Sequence, residues 1–175
     1  MYIAKIVLNK KKFKGTLDFC VIKNIQQDLK EHGFDYQVKD VFKSLSDISN
    51  INMHTVASII LHSIVRVEHI DEEVVENDFI SSTGELSLYI SIFEYINKLL
   101  EKCMPSIDKT KEIGDLFEEE DIEKKDWDFD YMEYLWYSIL KRTDDFYKIT
   151  PKTFFKQMDI WKKMNNVKEE NVKYM

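Results

Sequence analysis

An acidic segment divides this chain into two apolar blocks. Residues 108–130 contain eleven acidic residues and four lysines, which gives the segment a net charge of −7. The whole chain of 175 residues has the same net charge, so acidic and basic residues balance everywhere else. Such a run of like charges is typical of a solvated connecting segment. We therefore predict a first domain over residues 1–106, an acidic linker over 107–126, a second block over 127–165 and a flexible tail over 166–175.

The start of the first domain predicts a β-hairpin followed by a helix. Residues 2–8 are β-prone and lead into a lysine-rich turn over residues 9–12, after which residues 13–17 can pair with the first strand. From Asp18 onward the apolar residues follow helical spacing as far as Gly33, a residue type that commonly ends helices.

The next part of the first domain is also predicted to be helical. A short helix is expected over residues 38–45, and a third begins after Asn50 or Asn52 and reaches Val67. Because the apolar residues of this third helix lie on more than one face, it must be covered on more than one side, by its own domain or by a second subunit. Self-association is therefore one expectation from the sequence.

A long apolar helix closes the first domain. The hydroxyl-bearing residues 81–83 are predicted to cap it, and Pro105 follows its end near Met104. Polar residues interrupt its apolar stretch from Leu86 to Leu100, whereas a membrane-spanning helix needs about 20 mostly apolar residues. We therefore predict a deeply buried helix rather than a membrane span.

The second block predicts a helical hairpin rich in aromatic residues. Tyr131, Tyr134 and Tyr137 form a stripe along the side of its first helix. A threonine–proline pair at residues 150–151 marks the start of its second helix, which also carries Trp161. These four aromatic residues are the candidate protein-binding residues, since tyrosine and tryptophan are favoured interface anchors. The predicted fold is mainly α, with a small amino-terminal β-hairpin, a helical domain and an appended carboxy-terminal helical hairpin.

The composition argues against the nucleotide-binding enzyme families and gives no support to other catalysis. Four glycines cannot supply the glycine-rich phosphate loops of the nucleotide-binding families. Cys20 and Cys103 are too few for a disulfide framework and lack Cys-x-x-Cys spacing, so we expect two buried thiols in a reducing compartment. No catalytic residue, cofactor or enzymatic activity is predicted. The amino terminus does not resemble a signal peptide, which favours a cytoplasmic location.

The sequence gives little support to a metal site. His54, His62 and His69 lie two helical turns apart, whereas helical zinc motifs place their histidines one turn apart. Alternate acids in residues 126–130 resemble the start of a calcium loop, but tyrosines replace its glycine and its closing glutamate. The acids in residues 71–76 have no basic or nucleophilic neighbour, so we interpret them as solvated helix surface.

Two lysine-rich segments raise the question of nucleic-acid binding. They cover residues 5–14 and 148–163. The negative charge of the whole chain, the intervening aspartates and the core-like spacing of the neighbouring aromatic residues all disfavour that function.

Three segments resemble the tail assembly chaperones of long-tailed bacteriophages, in the long form that a frameshift fusion produces. They are FKGTLDF at the end of the hairpin, the apolar helix NMHTVASIILHSIVRVE and PKTFFKQMDIW in the second block. In that family a small helical domain with an initial β element is followed by an acidic linker and a second short helical segment. The resemblance covers most of the chain and includes no catalytic motif.

The resemblance implies a function in binding other proteins. The first domain would engage the tape-measure protein, often as a multimer, and the second block would recruit tail-tube subunits in the cytoplasm of the bacterial host. The chaperone would be absent from the finished virion. Because frameshifting produces the long form, we predict that the codons of Lys124 and Lys125 form an A-rich slippery sequence followed by a zero-frame stop. The alternative is a small helical regulator or adaptor that binds protein or DNA through the second block.

Overall fold

The architecture is a two-stranded hairpin followed by helices. The computed structural model describes residues 2–34, 38, 41, 52–84, 86–105 and 127–165. Within these residues the predicted mainly α class with an amino-terminal hairpin is confirmed. The predicted linker and tail lie outside the described residues. So does most of the predicted helix over residues 38–45, although Val38 and Val41 are helical.

Strands β1 (Ala4–Leu8) and β2 (Lys11–Gly15) form the predicted hairpin and pair antiparallel. Asn9 and Lys10 connect them with φ angles of 45° and 61°. Two left-handed residues are what a tight two-residue hairpin turn requires. The turn is shorter than predicted, because the two lysines that follow already pair with β1. Alternate side chains of β1 are buried, so the hairpin turns one face to the core.

Helix α1 (Phe19–Glu31) begins and ends where the sequence predicts. Oδ1 of Asp18 accepts a hydrogen bond from a backbone N–H of the first turn at 3.0 Å, which caps the amino terminus. At the other end Gly33 has a φ of 84°, and the N–H of Phe34 donates to the carbonyl of Leu29 at 2.9 Å. Glycine adopts this φ without strain, and the returning N–H satisfies a carbonyl of the last turn.

Helices α2 (Met53–Glu68), α3 (Glu72–Ser82) and α4 (Leu86–Cys103) complete the described part of the first domain. Asn52 caps α2 as predicted, with its Oδ1 2.9 Å from a backbone nitrogen of the first turn. Strand β1 packs against α4 and strand β2 packs against α2. The buried face of the hairpin therefore packs across both helices and joins the main apolar core.

The prediction that residues 81–83 cap α4 is wrong. Ser82 is instead the last residue of α3, and its buried hydroxyl accepts a hydrogen bond from the N–H of Asn9 at 2.6 Å. The same hydroxyl donates to the carbonyl of Asp78, one turn earlier, at 2.8 Å. Serine favours helix starts, but its hydroxyl can equally bond a carbonyl of the preceding turn, and sequence does not distinguish these roles.

The prediction that the long helix is deeply buried is also wrong. One face of α4 packs into the core, through Leu88, Ile92, Tyr95, Ile96, Leu99 and Cys103. On its other face Tyr89, Ile90 and Phe93 are 55%, 58% and 48% exposed. Apolar residues around a helix predict cover on every side, but the described residues cover one side only.

The second block consists of two helical segments joined by a short connection. Helix α5 (Phe129–Tyr134) continues directly into a π-helical turn over Leu135–Ile139. A 3₁₀ turn over Phe146–Lys148 leads to helix α6 (Pro151–Met164). The hydroxyl of Thr150 accepts a hydrogen bond from a backbone N–H of the first turn of α6, which confirms the predicted start of this helix.

Candidate protein-binding surfaces

The tyrosines of the second block form an exposed surface, which we call the tyrosine stripe. Tyr131, Tyr134 and Tyr137 are 40%, 55% and 39% exposed. The rings of Tyr131 and Tyr134 are stacked, with centroids 6.4 Å apart and planes 21° apart. The other side of this helix is buried through Met132, Leu135 and Trp136. The stripe is therefore the solvent-facing side of an anchored helix.

Tyr137 and Trp161 have different surroundings. The hydroxyl of Tyr137 accepts a hydrogen bond from the N–H of Phe146 at 3.1 Å, so this tyrosine also fixes the connection between the two helices. Trp161 is partly buried on α6. Neither side chain makes a ring contact with another aromatic residue of the described chain, so of the four candidate residues only Tyr131 and Tyr134 stack on each other.

A π-helical turn lies at the end of the stripe and contains Tyr137. Such turns are rare, occur mostly as single turns within α-helices and are frequent at functional sites. Here the turn contains Trp136, which is buried and donates from Nε1 to the carbonyl of Asp144 at 2.8 Å. The N–H of Arg142 also donates to the carbonyl of Trp136 at 3.1 Å. Both bonds fold the connection back over the helix end.

Phe19, at the start of α1, is buried in the apolar cluster of the second block, not in the main core. Its ring stacks on Phe146 with a centroid separation of 4.5 Å. Three further rings meet it edge to face at 5.8 to 6.1 Å; they belong to Trp127, Phe129 and Phe154. We call these four aromatic residues the Phe19 socket. Helical spacing predicts that Phe19 lies on the apolar side of α1. It does not indicate which segment of the chain packs against this side chain.

A second exposed apolar surface lies on the first domain. Tyr89, Ile90 and Phe93 occupy neighbouring positions on the outer face of α4, and we call them the α4 patch. Helix α2, whose apolar faces led to the expectation of self-association, offers no comparable surface. One apolar face of α2 is buried, and Leu61 and Val65 on the other face pack partly buried against the same core.

A cleft of about 170 Å³ lies between α1, α2 and α3. Asp28, His32, His54 and Ser58 contribute polar groups to its wall. The His32 ring is hydrogen-bonded to the backbone carbonyl of Asp28 and lies beside its carboxylate, and both contacts raise the pKa of His32. The hydroxyl of Ser58 is buried and has no hydrogen-bond partner among the described residues. The cleft is smaller than the roughly 300–1,000 Å³ of typical ligand pockets.

The histidines are dispersed along α2 and at its end. His54 and His69 are exposed, and His69 ends the helix with a left-handed φ of 54°. His62 is mostly buried, and its Nε2 lies 3.3 Å from Oδ2 of Asp28 outside hydrogen-bonding geometry. In the part of the chain that the structure describes, no group of three or more histidine, cysteine, aspartate or glutamate side chains could hold a metal ion.

Asp128 caps a helix, and the two cysteines differ in burial. Oδ1 of Asp128 accepts a hydrogen bond from the N–H of Tyr131 at 2.9 Å and so caps α5, whereas Asp126 lies outside the described residues. Cys103 is buried, and this burial raises the pKa of its thiol. Cys20 is only partly buried, contrary to the expectation of two buried thiols.

Three lysines of the lysine-rich segments are engaged within the chain. Nζ of Lys11 lies 2.8 Å from Oδ2 of Asp78. Lys148 pairs with a nearby aspartate at 3.2 Å, and Lys152 donates to the backbone carbonyl of Glu101 at 2.8 Å. These contacts use cationic groups that a phosphate-binding surface would need.

Two further observations bear on function. Across the described ranges, no helix combines the length and the apolar character required to cross a membrane. Comparison with known proteins finds no family model, no curated protein and no solved structure that matches the chain.

Proposed function

We propose that this chain is a tail assembly chaperone of a phage or prophage, which binds two other proteins and catalyses no reaction. The observation that supports this proposal is the presence of two separate exposed apolar surfaces, the tyrosine stripe and the α4 patch, one on each block. Single exposed apolar side chains are common, but adjacent ones on a single helix face are typical of interaction sites. Two such surfaces suit a protein with two partners.

The tyrosine stripe suits a folded partner that is recognised specifically. Stacking already restrains the rings of Tyr131 and Tyr134, so binding would cost little of their conformational freedom. Each ring offers apolar area and a hydroxyl that can donate or accept a hydrogen bond. We assign this surface to the tail-tube subunit, the partner that the resemblance implies for the second block.

The α4 patch suits a partner with a long apolar surface. Tyr89, Ile90 and Phe93 carry no charge and cover a little more than one helical turn. Burying such side chains contributes roughly 1.5–3 kcal/mol for each one that becomes fully covered. We assign this patch to the tape-measure protein, whose apolar surface has to be covered until tube subunits polymerise around it. The chaperone would act in the host cytoplasm and leave before the virion is complete.

Co-expression with the two partners tests this proposal. The full chain is co-expressed with the product of the neighbouring tape-measure gene and, separately, with the tail-tube protein. We expect a soluble complex in each case. A Tyr89→Ser, Phe93→Ser variant should lose the tape-measure complex and keep the tube complex, and a Tyr131→Ser, Tyr134→Ser variant should do the reverse. Each double variant is thus the matched control for the other.

Failure to purify with either partner would contradict the chaperone function. If the chain instead retarded DNA in a gel, the regulator alternative would be supported. The gene provides an independent test of how the chain is made. We expect the codons of Lys124 and Lys125 to form a slippery run with a zero-frame stop just after it, and a plain open frame through both codons would remove the support from frameshifting.

A further inference from the structure

The Phe19 socket recognises more than an aromatic ring. The backbone N–H of Phe19 donates to the carbonyl of Ile149 at 3.1 Å. This N–H belongs to the first turn of α1, where backbone donors have no partner within the helix. One turn further along, Nζ of Lys23 lies 5.1 Å from the centre of the Tyr147 ring, a cation–π contact. The second block therefore recognises the start of an amphipathic helix whose first residue is phenylalanine.

The interface between the first domain and the second block depends strongly on the side chain of Phe19. Among the described residues between 2 and 105, Phe19 alone belongs to the buried cluster of the second block. A further polar contact between the blocks, from Lys152 to the carbonyl of Glu101, lies at an exposed margin. Trp127 and Phe129 reach both clusters but are only partly buried. We call the Phe19 side chain the plug. An interface that one such side chain anchors can open without unfolding either core.

The length of the connection permits the plug to be exchanged between copies. The connecting residues 106–126 number 21 and can span at most roughly 70 Å when extended. Within one chain, a connection of this length gives the Phe19 side chain an effective concentration on the order of 1 mM. A second copy carries the same Phe19 side chain. It can compete for the socket with the chain's own Phe19 only when the concentration of copies approaches that value.

We propose that the Phe19 socket is an exchangeable docking site, filled by Phe19 of its own chain when copies are dilute and by Phe19 of a second copy when copies are concentrated. In the exchanged form, the second block of each copy rests on α1 of another. This inference rests on the contacts around Phe19 and not on the identity of the partners proposed above. A failure to bind tape-measure or tube protein would leave it standing.

Complementation between two full-length variants tests the exchange. Phe19→Ala removes the plug but keeps the socket, whereas Phe146→Ala removes the ring that stacks on the plug but keeps Phe19. We expect each variant alone to remain monomeric in sedimentation experiments. An equimolar mixture should form a one-to-one heterodimer at concentrations below the roughly 1 mM that exchange requires in wild type, because neither variant holds an intramolecular contact that competes. Wild type mixed with Phe19→Ala should associate at least about tenfold more weakly than this pair, since the Phe19 side chain of wild type is available only in the open fraction.

Two results would overturn the proposal. One is a mixture that stays monomeric at every concentration while both variants are folded. The other is heterodimer formation of equal strength when wild type replaces Phe146→Ala. If Phe19→Ala fails to fold, Phe19→Leu keeps an apolar side chain without the ring and takes its place. Hydrogen exchange on this variant should then show faster exchange in residues 129–164 and unchanged exchange in α2, and equal acceleration in both regions would refute a local opening.

Discussion

The buried carboxylate of Asp18 accepts a hydrogen bond from Nε of Arg66, with its Oδ2 2.8 Å from that nitrogen. Its other oxygen caps α1, so one side chain ties the start of this helix to the end of α2. The side chain of Asp18 is fully buried and that of Arg66 is 24% exposed. Removing one member of such a pair leaves the other without compensation in a medium that solvates it poorly.

We therefore expect Arg66→Met to lower the free energy of unfolding by about 2–3 kcal/mol, somewhat below the roughly 3–5 kcal/mol of a fully buried pair. Urea denaturation measures this change. Asp18→Asn in the Arg66→Met background should recover part of the loss, because the neutral amide can still cap α1. If the effects of the two substitutions simply add, the ion pair does not couple these helices.

Gly15 provides a test of packing at the end of β2. A Cβ at this position would overlap the hydroxyl of Tyr95 and lie 3.0 Å from the backbone of Ser63. We expect Gly15→Ala to cost about 1–3 kcal/mol, the range for overpacking a well-filled core. Thermal and urea unfolding measure this change.

Tyr95→Phe is the matched partner of that substitution, since it removes the overlapping hydroxyl. Ser63 keeps a hydrogen bond to the carbonyl of Ile60 at 3.1 Å when the Tyr95 hydroxyl is lost. Gly15→Ala should therefore cost less in the Tyr95→Phe background than in wild type. An equal cost in both backgrounds would show that the Ser63 backbone, and not the tyrosine, sets the penalty.

Asp78 should make stability depend on acid pH. Hydrogen bonds from Lys11 and then Asn9 lower the pKa of this carboxyl below its ordinary value of 3.8. Its contribution is fully present above pH 3.8 and is lost as the pH falls through the lower folded pKa. We expect Asp78→Asn to cost about 1.5–3 kcal/mol at pH 7, the range for hydrogen bonds to a charged group.

The difference between Asp78→Asn and wild type should shrink in strongly acidic solution, as urea denaturation across the pH range can show. Asp71→Asn is the control, because Asp71 is exposed and its side chain makes no capping bond to α3. A difference that persists undiminished well below pH 3.8 would mean that the Asp78 charge is not what ties the hairpin turn to α3.

The two thiols should react at different rates. Cys103 is buried and its pKa is raised by burial, whereas Cys20 is partly exposed. Because the thiolate is the reactive form, we expect iodoacetamide to label Cys20 first at pH 8. Mass spectrometry of peptides after short incubations measures the order, and Cys20→Ser should leave a slowly labelled chain. Equal rates would indicate that the α4 end opens readily.

The predictions that succeeded depend on local chemistry. The hairpin follows from β-propensity, α1 from the Asp18 cap and the Gly33 stop, and α6 from a threonine–proline start. In each case the signal lies within a few residues of the element that it predicts. Neighbouring residues in sequence are then sufficient to fix the element and its ends.

The predictions that failed depend on what packs where. The apolar residues of α4 do not reveal that the rest of the described chain covers only one side of this helix. Ser82 resembles a helix cap in the local sequence, because its hydrogen bond to the hairpin turn joins residues 73 positions apart. The π-helical turn has no residue signature, and the tyrosine spacing was compatible with an ordinary α-helix. The candidate tyrosines could thus be located by periodicity, but their stacking and the Phe19 socket could not.

The bond between Phe19 and Ile149 also has a consequence for synthesis on the ribosome. Ile149 follows Phe19 by 130 positions in the sequence. At about 5–20 residues per second, the carbonyl that receives the Phe19 N–H is made roughly 6 to 26 s later. The nascent first domain therefore presents an uncovered phenylalanine during that interval. Any ribosome-associated chaperone would have that long to bind this side chain before the rest of the chain covers it.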